Sequence, residues 1–243
     1  MTAVLSHHIV SAYDDELKSL TLRIAAMGGH AERMVDLALS ALIHADLALA
    51  RKVIADDAIL DEAQREIDTQ TISMITRRQP LADDLREIVG AIRISADLER
   101  VGDLGKNIAK RAFVVGHSLD RMSAIRGLEA LVDLALTQLK DVLDVYASRS
   151  VERLVAVRDR DEQIDAIYTS LFRELLTYMM EDPRNITPCT HLLFCAKNIE
   201  RIGDHATNIA ETIYYIVTGE QLPLNRPKED RSHVVTVEPH SPA

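Results

Sequence analysis

The sequence predicts an all-α protein, six long helices arranged as two repeated three-helix bundles. Three observations point there. Apolar residues step by three and four without a break, as in Leu192, Cys195, Ile199, Ile202, Ala206, Ile209 and Ile213, which is the period of a helix packed along one face. The composition is rich in Ala, Leu, Ile, Asp and Arg, with no Trp and only three Phe and nine Gly in 243 residues, a balance that favours helix over sheet. One stretch also occurs twice: residues 96–109 and 197–210 share Glu, Arg, Gly, Asp, Asn, Ile and Ala at the same seven places. Repetition at this spacing marks a duplicated unit.

Taken in order, residues 1–12 carry no period and are expected to be flexible. Helix 1 is predicted from about Tyr13 to Ile43, with Leu17, Leu20, Ile24, Met27, Ala31, Met34, Ala38 and Ala41 on its stripe. Val35, Leu37, Leu39 and Leu42 fall outside that stripe, so this helix needs cover on more than one side. Asp46 is a good N-cap for helix 2, which carries Leu60, Ala63, Ile67 and Met74 and stops at Arg78-Gln79-Pro80. Asp83 is read as the cap of helix 3, which holds the first motif copy and ends near Gly116. Connections this short force antiparallel neighbours.

The second half follows the same plan. Helix 4 is expected from about Met122 to Tyr146, its Leu131-Val-Asp-Leu-Ala-Leu answering Met34-Val-Asp-Leu-Ala-Leu. Ser150 is read as the cap of helix 5, which closes at Glu181-Asp182-Pro183. Thr187-Pro188 gives helix 6 a cap and a first-turn proline. The units are therefore placed at 13–116 and 121–219, joined near Gly116 to Asp120, with residues 220–243 read as a flexible tail of Pro, His and charge.

A formal charge of −10 argues against a phosphate-backbone binder, so no nucleic-acid partner is expected. No apolar run approaches the ~18 residues of a membrane span, and the start lacks the pattern of a signal peptide. The expectation is a cytoplasmic protein that reaches a membrane only indirectly. Cys189 and Cys195 lie in one helical segment without disulfide geometry. Cys195 reads as a core filler and Cys189 as a free thiol near a helix start.

The acidic pairs carry the chemistry. Glu99/Asp103 and Glu200/Asp204 stand one turn apart, and Glu32/Asp36 and Glu129/Asp133 share their phase, all outside the apolar stripe. Helices 1 and 3 run parallel in an up-down-up bundle, so Glu32/Asp36 are expected beside Glu99/Asp103. Like charges at that spacing cost ~0.2–0.5 kcal/mol per pair. Positive charge is needed there, either as a bound cation or as the neighbouring Arg100 and Arg201. Oxygen ligands without a Glu-x-x-His pattern favour a hard cation. Asn107 and Asn208, one turn on, could add a carbonyl ligand or a hydrogen bond behind the ligands. Gly102 and Gly203 sit mid-helix, where glycine costs ~1 kcal/mol against alanine, which suggests that a neighbouring helix, an ion or its waters comes too close for a Cβ. His205 reads as a partly exposed surface residue. Asp57/Asp61 and Asp161/Asp165 also repeat, and are read as acids favourably placed near helix starts rather than as ligands.

No nucleophile with a partnered base and no Gly-rich phosphate loop is present, so the residues do not support an enzyme. Glu200-Arg-Ile-Gly-Asp-His-Ala-Thr-Asn-Ile-Ala-Glu, with Leu176-Thr-Tyr-Met-Met-Glu-Asp-Pro before it and Arg77-Arg-Gln-Pro-Leu-Ala-x-Asp-Leu-Arg in the first half, resembles the PhoU family. The likeness covers roughly residues 12–220. It implies two three-helix bundles with multinuclear metal clusters on E(D)-x-x-x-D pairs, here Glu32, Asp36, Glu99, Asp103, Glu129, Asp133, Glu200 and Asp204. The metals implied are divalent or ferric, among iron, manganese, magnesium and zinc. It also implies repression of the phosphate-starvation response together with the phosphate ABC transporter ATPase and the sensor histidine kinase. The wide apolar face of helix 1 would suit bundle-to-bundle packing or a homodimer. The rival reading is a carboxylate-bridged metalloenzyme or metal store, which would need a Glu-x-x-His in the bundle interior that this sequence lacks.

Overall fold

The structure is a computed structural model that describes residues 11–116 and 124–222. The joining stretch near Gly116 to Asp120 and the C-terminal tail fall almost wholly outside the described residues, as do residues 1–10. Six long helices account for most of the described residues: α1 (Ser11–Ile43), α2 (Leu47–Arg78), α3 (Ala82–Val115), α4 (Ala124–Ser148), α5 (Leu154–Glu181) and α6 (Ile186–Thr218).

Local chemistry explains most of the boundaries. Asp46 caps α2 by accepting from the backbone N–H groups of Ala48 and Leu49 at 3.0 and 2.9 Å. Gln79 ends α2 in the left-handed region at φ 49°, and Pro80 follows. Three expected caps do not hold. α3 starts at Ala82 behind Leu81, with Asp83 already inside the first turn, where its charge meets the helix dipole instead. Ser150 makes no side-chain cap bond, because a single 3₁₀ turn, Val151–Arg153, intervenes before α5. A second 3₁₀ turn, Pro183–Asn185, is capped by Asp182 through the Arg184 N–H at 2.9 Å, so α6 begins at Ile186, ahead of Thr187-Pro188.

α1, α2 and α3 pack on one another, as do α4, α5 and α6, and the two sets meet where α3 lies along α6 and α1 along α4. The α3–α6 seam is antiparallel. His205 reaches Asp97, Arg111 reaches His191, and Gly90 faces Thr212 and Ile216. Much of the surplus apolar surface of α1 is covered by α4, as bundle-to-bundle packing. α4 comes so close that a Cβ on Gly28 would stand 2.5 Å from Leu143 Cδ1, and Val35 and Leu42 are fully buried.

Candidate functional site

Glycine sets the position of the acids. A Cβ on Gly102 would overlap Leu60 Cδ1 of α2, and one on Gly203 would lie 3.0 Å from Ile164 Cδ1 of α5. The mid-helix glycines therefore seat a neighbouring helix, as their repeated cost suggested. Asp57 and Asp61 flank Leu60 in sequence, and Asp161 and Asp165 flank Ile164 in the same register. Each close approach brings a pair of aspartates beside a motif pair.

In the first half the result is a carboxylate quartet on two helices. Lys106 Nζ donates to Asp57 Oδ2 and to Asp103 Oδ1, both at 2.5 Å, and all three side chains are at most about a quarter exposed. Burial lowers the Lys106 pKa, but the hydrogen bonds to Asp103 and Asp57 more than offset this and hold it above the ordinary lysine value. Glu99 is raised, first by burial and then by Asp103. Arg100 opposes this shift, while Asp61 and Asp57 add to it. Arg100 Nη1 also reaches Asp103 Oδ2 at 3.2 Å.

In the second half Glu200 is only 6 % exposed and accepts from Lys197 Nζ at 2.8 Å. Asp161 is buried too. Thr207, which stands where Lys106 stands in the first copy, has its Oγ1 3.2 Å from Asp161 Oδ1 and 3.2 Å from the Gly203 carbonyl. Gln138 Nε2 donates to the Val157 carbonyl at 3.0 Å and to Thr207 Oγ1 at 3.2 Å. Its Oε1 is buried without a hydrogen-bond partner among the described residues.

These placements correct three expectations. The acids facing Glu99 and Asp103 come from α2, not from α1. Asp36, Glu129 and Asp133 are exposed and Glu32 half-buried, and the charges felt by Glu99 all lie on α2 and α3. Asp57 and Asp161 are also not dipole acids, because α2 starts at Leu47 and α5 at Leu154, while the dipole acts within the first turn. Nor do the motif acids all point outward, since Glu200 is buried. Their repetition at one register was the signal for Asp57, Asp61, Asp161 and Asp165. Asn107 is half-buried and Asn208 exposed; Asn208 lines a cavity of about 630 Å³ with Asp97, Arg93, Glu211 and Tyr215. His205 is half-buried, its Nδ1 2.8 Å from Asp97 Oδ1. Cys189 and Cys195 are both buried, and desolvation pushes the Cys195 thiol up to about 12.

Among the described residues, no three acidic, His or Cys side chains already surround one point as a ready chelate. Lys106 fills the gap in the first half. The donor set nonetheless suits a hard cation: oxygen-only ligands on two rigid helices, with an ammonium marking the point where two of the carboxylates already hold positive charge at 2.5 Å.

Residues 24–112 and 128–213 each match the family model described as the PhoU domain. The chain belongs to the PhoU family. A phosphate-specific transport system accessory protein PhoU homolog of Rhizobium meliloti (strain 1021) is 68% identical over 227 residues, covering 93% of this chain and 96% of its own. Among solved structures, PhoU from Pseudomonas aeruginosa aligns with a TM-score of 0.80 at 35% identity, covering 86% of this chain and 100% of that one. The phosphate transport system regulatory protein PhoU from Streptococcus pneumoniae aligns with a TM-score of 0.80 at 27% identity, covering 87% and 100%. The family is one of accessory proteins of phosphate transport, and among the described residues no helix is long and apolar enough to cross a membrane.

Proposed function

We propose that this PhoU-family chain is a cytoplasmic, metal-binding regulator that represses the phosphate-starvation response and modulates phosphate uptake. It acts with the phosphate ABC transporter ATPase and the sensor histidine kinase. The observation that supports this most directly is the near full-length similarity to a phosphate-specific transport accessory protein.

Asp57, Asp61, Glu99 and Asp103 would hold metal in the first half, and Asp161, Asp165, Glu200 and Asp204 in the second. A cation held there would supply positive charge among the clustered carboxylates, in the first half in competition with Lys106. The protein's own part is to hold the carboxylates in register, through Gly102 on Leu60 and Gly203 on Ile164. Iron, manganese, magnesium and zinc are all compatible with oxygen donors. The test is deletion of the gene followed by measurement of phosphate-starvation transcripts in phosphate-replete cells. Derepression is expected, and repression that survives deletion would count against a regulator.

A further inference from the structure

One pole of the molecule departs from its acidic average. No Asp or Glu occurs in residues 47–55, 104–116 or 183–199, which hold Arg51, Lys52, Lys106, Lys110, Arg111, Arg184 and Lys197. These are the first turns of α2, the last turns of α3 and the first half of α6, and the antiparallel α3–α6 seam brings the latter two to one end. Exposed apolar side chains lie among the cations: Phe113 at 42%, Val114 at 54% and Phe194 at 51%. Arg51 sits over the Phe113 ring at 5.5 Å and Arg111 over the Phe194 ring at 4.3 Å, so two arginine–phenylalanine stacks flank exposed Lys110 and Val114. His191 holds Arg111, with Nδ1 2.9 Å from Nη1. Of the carboxylates bordering these segments, Asp103 pairs with Lys106 and Arg100, Asp182 with Arg184, Glu200 with Lys197, and Asp46 caps α2, so Arg51, Lys52, Lys110 and Arg111 carry the positive face rather than Lys106, Arg184 or Lys197.

We propose that this face docks on the headgroup region of an anionic lipid bilayer. Phe113, Val114 and Phe194 would enter the interface, and Arg51, Lys110 and Arg111 would meet lipid phosphates. Charge complementarity selects an anionic occupant. Exposed Lys52 and Lys110 beside Phe113 and Val114 favour lipid over an acidic protein, because arginine and aromatics suit both kinds of interface whereas lysine is depleted from protein interfaces. A bilayer interface takes aromatic and basic residues side by side, the long basic stems lying against apolar surface with their heads at the phosphates. The formal net charge of −10 is an average over a polarised surface.

The full chain should co-sediment with phosphatidylglycerol–phosphatidylcholine vesicles, not with phosphatidylcholine alone, and should be released by raised salt. Each neutralised cation should lower partitioning about fivefold, so Arg51→Gln/Lys110→Gln should lower it about 25-fold. Arg65→Gln/Arg77→Gln, an equal charge change on exposed arginines of α2 away from this pole, should leave it unchanged. Phe194→Ser, with an unchanged helical circular dichroism spectrum and melting curve as the folding control, should also weaken binding. The proposal is overturned by equal binding to both vesicle types, by binding indifferent to Arg51 and Lys110, or by no vesicle binding with the face instead capturing an acidic protein.

Discussion

Lys106 of α3 and Thr207 of α6 stand at matching places in the two motif copies, and each reaches the first aspartate of the pair on the neighbouring helix. Lys106 Nζ donates to Asp57 at 2.5 Å, and Thr207 Oγ1 lies 3.2 Å from Asp161. The link between facing helices therefore differs, an ammonium in the first quartet and a hydroxyl in the second, where the Lys197 ammonium pairs with Glu200 on its own helix. A cation entering the first quartet competes with Lys106.

Removing that competitor should separate the two roles of the site. Lys106→Met should raise the affinity of the first half for manganese about tenfold or more, because charge-assisted hydrogen bonds no longer have to be broken. The metal-free protein should lose about 1–3 kcal/mol, since Asp57 and Asp103 are left without their shared partner. Calorimetric titration and denaturant unfolding measure the two effects.

The helix that supplies the second pair of ligands can be tested by matched substitutions. Asp57→Asn/Asp61→Asn should lower bound metal as much as Glu99→Gln/Asp103→Asn, whereas Glu32→Gln/Asp36→Asn should leave it unchanged. Elemental analysis of protein prepared without chelator distinguishes these outcomes. Equal loss from the α1 variant would restore the arrangement expected from sequence alone.

Much of this was legible in the sequence, and what was not has a physical cause. The doubled motif and its apolar period placed six helices and picked out Glu99, Asp103, Glu200 and Asp204. Helical phase tells which face a residue occupies, but not which neighbour that face meets. Glu32 and Asp36 shared the phase of Glu99 and Asp103 and still faced elsewhere, because α3 presents its Gly102 edge to α2 at Leu60. The capping errors have a local origin, since the 3₁₀ turns at Val151–Arg153 and Pro183–Asn185 move the helix starts past Ser150 and ahead of Thr187.

Gly102 and Gly29 should respond oppositely to alanine. At Gly102 the new methyl overlaps Leu60, and overpacking should cost about 1–3 kcal/mol. Around Gly29 the nearest atom is Arg33 Nη1 at 4.0 Å, so Gly29→Ala should be neutral or stabilise by up to ~1 kcal/mol. Urea unfolding of both variants decides this.

Glu16 gives the acid side of the stability profile. The hydrogen bond from Arg78 holds its pKa below the ordinary glutamate value, with burial opposing and Arg77 and the Arg78 charge adding. A folded-state pKa below the unfolded value of about 4.3 stabilises the fold above that pH, and the contribution is lost as pH falls through the folded pKa. Glu16→Gln should therefore cost up to about 1 kcal/mol at neutral pH, with the difference from wild type vanishing in acid. Thermal melts across that range supply the comparison.

The most direct measurement is an anomalous-difference map from crystals of the manganese-loaded full chain. Peaks are expected between α2 and α3 at Asp57, Asp61, Glu99 and Asp103, and between α5 and α6 at Asp161, Asp165, Glu200 and Asp204. Peaks beside Glu32/Asp36 or Glu129/Asp133, or none at either quartet in saturated crystals, would contradict the assignment of metal to these helix pairs.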